Sequence, residues 1–369
     1  MKVNTISLNS VRLNTIALNH IGEIRSGGGG SKPSPIPQWI REHIVFYYDV
    51  KKQGATNETL KESAYLQDLS GKGRRMKLNN FLFAEMSGVG GYNDNFSNWI
   101  TDSNNGAVKI ESDSSIVIQS VKIEYRGILY QDSSKNATLK CNITGITEEL
   151  KGKLIFRYTD AEGSKNITLE NGYFEFNSSE YEGLSGWYGF TSKQPIDNCN
   201  ITITQIPEYP GALVTDGVDD YGLVENLSSG VKMLFMTVNP IGDFNTFKNY
   251  YSQMRNAANQ PFCVYSTSAG IAYNYSNPNG ITYIDGVLNE SIGCTKLWGL
   301  KHTITIVNDT VNPTNSGQPA FFSREEWRKG YYSKIAFYNS IAFDSIPTEA
   351  DGFTEQELIN YVLTNIIGQ

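Results

Sequence analysis

The closest set of potential metal ligands in this 369-residue chain is Asp216, Asp219 and Asp220, within Asp216-Gly217-Val218-Asp219-Asp220-Tyr221. Their carboxylates could hold Ca²⁺, which prefers oxygen ligands. The same Asp-Gly run also suits a tight turn entering a strand, and a turn without metal is the simpler reading. Glu325 and Glu326 precede Trp327. Glycoside hydrolysis needs two carboxylates facing one bond, and adjacent strand residues point to opposite faces. His20, His43 and His302 are far apart and none has metal-binding spacing. Ser87-Gly88-Val89-Gly90-Gly91-Tyr92 shares only its glycines with a phosphate loop and lacks GxxxxGKS/T. No nucleophile elbow or His-based triad is discernible. The expectation is therefore a non-enzyme with no catalytic residues, no cofactor and no metal.

Aromatic side chains offer different chemistry. Trp187-Tyr188, Tyr250-Tyr251, Tyr273, Tyr275, Trp298 and Trp327 could form platforms for sugar rings. Trp298, Trp187 and Tyr275 are the carbohydrate-binding candidates, although most such rings in a protein serve cores or interfaces. Cys141 and Cys199 could face each other in one β-domain, and Cys263 and Cys294 in another. Buried free thiols are the simpler reading, since so large a chain needs no staples. Asn-x-Ser/Thr sequons at Asn136, Asn142, Asn166 and Asn200 arise by chance in a chain this rich in Asn, Ser and Thr.

The most regular stretch is residues 1–25. Its apolar positions alternate spacings of three and two: Val3, Ile6, Leu8, Val11, Leu13, Ile16, Leu18 and Ile21. Asn4, Asn9, Asn14 and Asn19 fall in register at every fifth residue. That period fits neither an amphipathic helix nor an alternating strand. It suggests short extended pieces broken by Asn-led turns. Four such units cannot bury their own apolar faces, so the arm should order against other chains. The recurring polar residues rule out the uninterrupted apolar core of a signal peptide. The pentapeptide-repeat β-helix shares the period but not the phase, and its fold is not carried over.

Residues 26–38 read as a hinge. Ser26-Gly27-Gly28-Gly29-Gly30-Ser31 is a flexible tether, and Lys32-Pro33-Ser34-Pro35-Ile36-Pro37 favours extended geometry. Beyond it the composition is that of an all-β protein: 22 Tyr, 17 Phe, 5 Trp and many turn residues, with few long helical patterns. A net charge of −7 argues against a nucleic-acid surface. No apolar run is long enough for a membrane helix.

Residues 39–105 open a first β-domain, with Ile44-Val45-Phe46-Tyr47-Tyr48-Asp49 as a buried strand. Residues 106–207 change texture. Short alternating segments at 108–110, 116–118, 121–125, 138–143, 154–158, 171–176 and 201–204 predict about seven strands, the pattern of a small β-sandwich. Residues 208–369 resume the first texture. Strands are expected at 231–238, 301–307 and 331–338, and a hairpin turns at Asp285-Gly286. A helix over 354–366 should be capped by Thr354, with Glu357 completing a capping box.

Five segments together resemble the concanavalin/laminin-G-like jelly roll. Asp68-Leu69-Ser70-Gly71-Lys72-Gly73 is similar to its DxSGNG-type turn, and Asp216-Gly217-Val218-Asp219-Asp220-Tyr221 to its FDGxDDY strand. Tyr283-Ile284-Asp285-Gly286-Val287-Leu288 matches its YVDG hairpin. Ile335-Ala336-Phe337-Tyr338-Asn339 and Phe353-Thr354-Glu355-Gln356-Glu357-Leu358 resemble its closing strand and tail. The fold class this implies is all-β: a jelly roll interrupted by an inserted small β-sandwich and preceded by an extended repeat arm. The whole arrangement resembles structural proteins of Bacteroides-infecting, crAss-like tailed phages.

That resemblance implies a virion appendage, either a head fibre or capsid decoration, made in the host cytoplasm and carried on the particle surface. The attachment residues would be Val3, Asn4, Ile6, Leu8, Asn9, Val11, Leu13, Asn14, Ile16, Leu18, Asn19 and Ile21. Expected partners are capsid or tail subunits, further copies in a homodimer or homotrimer, and host surface glycan, with no nucleic acid and no membrane insertion. The alternatives are a glycan-binding adhesin or tail-fibre component and, least favoured, a glycan hydrolase.

Overall fold

The computed structural model describes residues 37–227, 230–241, 250–253, 264–267, 270–273, 281–289, 294–295, 299–308, 320–322 and 332–368. Residues 1–36, which include the repeat of residues 1–25 and most of 26–38, lie outside them. The protein is all-β, built from antiparallel sheets with few helices. Two compact units form. Of the described residues, those within 37–83, 87–90 and 211–368 make up the first, and 84–86 and 91–210 the second. The texture-based boundary at 105/106 falls inside the second unit, because Phe96 and Trp99 are buried in its core.

The first unit contains two sheets. One runs Val287–Leu288, Ile281–Ile284, His302–Val307, Met233–Pro240, Ile335–Phe343, Leu213–Val214 and Gly88–Val89, with Ile44–Asp49 also paired to Ile335–Phe343. The other runs Tyr65–Leu66, Met76–Asn79, Tyr221–Val224, Ala320–Phe321, Tyr250–Gln253, Val264–Thr267, Gly270–Tyr273 and Cys294–Thr295. A core containing Phe46, Tyr48, Leu234, Met236 and Ile304 from the former and Met76, Leu78, Val224 and Phe321 from the latter joins them.

The opposite face of the former sheet packs Ile44, Tyr47, Phe235, Ile341 and Phe343 against Trp39 and the C-terminal helix. Strand Ile44–Asp49 is thus buried at all six positions, which explains its continuous apolar run in place of alternation.

The helix is Glu355–Tyr361, continued by a π-type turn over Val362–Ile366. Thr354 accepts from the Glu357 N–H, and Glu357 Oε2 accepts from the Thr354 N–H at 2.7 Å, completing the expected capping box. Leu358, Ile359, Val362 and Ile366 face the sheet. Replacing Thr354 with alanine should cost about 1 kcal/mol in urea unfolding. An unchanged midpoint would show that packing alone holds the helix.

The second unit has two five-stranded sheets. One is Gly163–Thr168, Leu154–Asp160, Trp187–Ser192, Leu129–Asp132 and Ile100–Thr101. The other is Gly172–Asn177, Thr138–Thr144, Ile201–Gln205, Ser115–Val121 and Gly106–Ser112. Strands such as Thr138–Thr144 alternate core and solvent positions, as a sheet wet on one face requires.

One expectation is corrected. Residues 122–125 are not strand: the chain turns there, with Tyr125 at φ 55° and its N–H donating to the Ser192 carbonyl at 2.8 Å. Trp187 and Tyr188 begin a strand, and Tyr188 is fully buried. Cys141 and Cys199 are free thiols; Cys141 is buried and Cys199 partly so. Burial pushes the Cys141 thiol far up, which makes it inert.

Candidate functional site

The three aspartates do converge. Carboxylate oxygens of Asp216, Asp219 and Asp220 all lie within 4.8 Å of one another. Thr215 anchors the approach: its N–H donates to the Ile335 carbonyl at 3.0 Å and its hydroxyl to the Ser333 carbonyl at 2.6 Å. Gly217 then takes φ +78°, and a Cβ there would press on Lys334 Cβ at 3.0 Å, so only glycine turns the chain here without strain. Asp216 Oδ1 closes the turn by accepting from the N–H groups of Val218 at 2.7 Å and Asp219 at 3.4 Å. This is the Asx geometry its sequence favours.

Asp220 is fully buried where strand Tyr221–Val224 begins. Its Oδ2 accepts from the Asp216 N–H at 2.9 Å and its Oδ1 from the Ser87 hydroxyl at 3.0 Å. Ser87 Oγ in turn accepts from the Leu82 N–H at 2.9 Å. Burial above all, helped by the charges of Asp216 and Asp219 and opposed by the Asp216 N–H and the Ser87 hydroxyl, pushes the Asp220 carboxyl up to about 7. Both Asp220 oxygens and Asp216 Oδ1 are engaged by donors from the protein itself. The arrangement therefore does the work of a turn, with one buried carboxyl that changes charge near neutrality.

Two His–Asp pairs were not legible in the sequence. His43 Nδ1 lies 2.8 Å from Asp344 Oδ1, and His302 Nδ1 lies 2.6 Å from Asp285 Oδ2. Asp285 also accepts from the Thr303 N–H at 2.7 Å. Among the described residues neither pair extends to a nucleophilic hydroxyl or thiol, which acyl or glycosyl transfer through such a pair requires.

A buried polar row also crosses the first sheet, with Thr303, Thr237, Asn339 and Asp49 in register. The Thr237 and Thr303 hydroxyls are 2.9 Å apart. Asp49 accepts from the Tyr47 hydroxyl at 2.9 Å and the Lys52 N–H at 2.8 Å. Burial raises the Asp49 carboxyl above its ordinary range. Only strand pairing across hundreds of residues assembles this row, so no local signal announces it.

Most of the remaining sequence candidates, namely Val3–Ile21, Tyr275, Trp298, Glu325, Glu326 and Trp327, lie outside the described residues. Trp187 is half-buried at the start of its strand, its ring 5.6 Å from that of Tyr130.

Comparison of the chain with protein-family models, with curated proteins and with solved structures finds no match. The fold and its geometry therefore define the class as a two-unit, all-β protein. What it does has to be argued from its residues.

Proposed function

We propose that this chain is a non-catalytic structural appendage of a tailed-phage particle, a head fibre or capsid decoration. The pentad arm anchors it, and the β units are displayed outward. The observation that carries this reading is the in-register arm, four Asn-led blocks whose apolar positions need other chains to cover them. The Gly-rich tether that follows lets the displayed part reorient. The jelly-roll likeness of the first unit belongs to the same proposal, and its two sheets around one core are compatible with it. Copies joined as a dimer or trimer would bury each other's arm faces and bind with avidity.

Deleting residues 1–25 should leave a folded, soluble protein that no longer co-purifies with particles assembled in its presence. Asn4, Asn9, Asn14 and Asn19 changed together to alanine should weaken incorporation in the same direction. Full incorporation of the deletion would refute anchoring through the arm.

A further inference from the structure

The sheet Gly163–Thr168, Leu154–Asp160, Trp187–Ser192, Leu129–Asp132 and Ile100–Thr101 packs on the second core through Leu129, Phe156, Tyr188 and Phe190. Alternation turns Tyr130, Arg157 and Trp187 to the opposite face. Gly189 sits between Arg157 and Tyr130 in register, and a Cβ there would meet Tyr130 Cα and Cβ at 2.6 Å. The strand is hollow at that point, which lets a neighbouring side chain approach closely. The Tyr130 ring also lies against Gly127, and the Trp187 ring is 5.6 Å from it.

On the other side of Gly189, the Tyr125 ring lies 5.2 Å from the Arg157 guanidinium. The turn at Tyr125 and the glycine at 189 thus set three aromatic rings and a guanidinium over one sheet face. Tyr125 remains 39% exposed, and Tyr130, Trp187 and Arg157 are half-buried, so a ligand can reach them.

Two properties of this face select a ligand. The first is hydrogen-bonding capacity beside the rings. Ser164, Asn166 and Thr168 pair with Thr159, Arg157 and Ile155 on the adjoining strand, stand on the same face and are exposed. Beneath the layer, the buried Thr191 hydroxyl has no partner among the described residues. Aromatic rings that cover apolar sugar faces, flanked by groups for the hydroxyls, are what a saccharide needs.

The second property is charge. Arg157 meets the Tyr125 ring, and Lys193 donates to Thr168 Oγ1 at 3.1 Å; among the described residues neither meets a carboxylate. A half-buried guanidinium is stabilised by an arriving anion, and its planar fork fits a carboxylate. The chain as a whole carries −7, so general attraction of anions does not account for such a spot.

The geometry points to a binding site for an acidic polysaccharide on this face. The rings of Tyr130 and Trp187 stack on pyranose faces, Ser164, Asn166 and Thr168 take hydroxyls, and Arg157 with Lys193 meets the uronic carboxylate. The site lies wholly within the second unit and does not depend on how the arm is anchored.

The test is calorimetry of the full chain against oligosaccharides of alginate, polygalacturonate and hyaluronan, with neutral laminarin and malto-oligosaccharides as comparators. Binding is expected for at least one acidic probe and should weaken with added salt. Trp187→Ala and Arg157→Gln should each lower the affinity by roughly tenfold or more. Tyr173→Ala, a 63%-exposed ring on the other sheet, should leave it unchanged. Arg157 is outside the core, so Arg157→Gln remains informative even if Trp187→Ala perturbs folding. Three results would overturn the assignment: no binding of any acidic probe, equal binding of the neutral ones, or full affinity in Arg157→Gln.

Discussion

Replacing Phe156 with alanine is expected to destabilise the second unit by about 3–5 kcal/mol. Phe156 is fully buried, and its ring lies 4.6 Å from Phe176, 5.2 Å from Phe174 and 5.2 Å from Phe190, centroid to centroid. Phe190 and Phe156 come from one sheet and Phe174 and Phe176 from the other, so the ring fills the seam between the two. Truncation removes apolar area from the protein interior and leaves a cavity. The surrounding strands can collapse into it only in part, because each is held in its own sheet by ladder hydrogen bonds. Urea unfolding followed by tryptophan fluorescence, to which Trp99, 5.9 Å from Phe190 in the same core, contributes, would measure the loss. A change below about 1 kcal/mol would mean that the core repacks and the seam is not rigid.

Stability of the first unit should fall as pH rises from about 4 to about 7, through Asp220. In the folded chain burial raises this carboxyl to about 7, above its ordinary value of 3.8. The folded state therefore holds a proton that the unfolded state has released in that window. A state that binds more protons is favoured at low pH, so the contribution is fully present below the unfolded value and is lost as pH passes the folded one.

The whole shift corresponds to roughly 4 kcal/mol, at about 1.4 kcal/mol per pKa unit. Asp220→Asn mimics the neutral form: its amide oxygen can still accept from Ser87, while its NH₂ replaces the oxygen that accepted from the Asp216 N–H. The variant should lose this part of the pH dependence and gain on the wild type as pH rises towards 8. Unfolding curves at pH 5, 6, 7 and 8 decide the matter, and equal slopes for both proteins would assign the titration to another group.

Local signals carried well where a few adjacent residues decide the outcome. Thr354 and Glu357 announced the helix start because a capping box is closed within four residues. Asp285-Gly286 announced a hairpin because Asp285 at φ 51° and Gly286 at φ 81° suit a primed turn. Ile44–Asp49 was legible as a buried strand because both its faces are covered.

The failures share one cause. Val121–Tyr125 has the alternation of a strand, yet past Val121 the N–H of Lys122 donates to the Asn105 carbonyl and that of Tyr125 to Ser192, which turns the chain away from its ladder. Gly163–Thr168 and Trp187–Ser192 carry glycine and polar residues that weaken the periodic signal, and long-range pairing makes them strands all the same.

The candidate sites divide in the same way. The proximity of Asp216, Asp219 and Asp220 is written in five residues, but the charge behaviour of Asp220 is not. That depends on Ser87, more than a hundred residues earlier, and on burial that only the assembled first unit provides. Trp187 was visible as an aromatic. Its neighbours Tyr130, Arg157 and Tyr125 were not, since they reach one face only after strands from separate segments pair across Gly189.

By itself the sequence determined the β character, the five-residue period of its first residues, and the turns and caps, because each rests on composition or on contacts a few residues apart. Tertiary structure alone decided which strands are neighbours, where the second unit begins, which carboxyl is stripped of water and which rings share a face. Hydrogen-bonded ladders join residues as distant as Ile44 and Phe343, and burial is a property of the packed sheets that no single segment possesses.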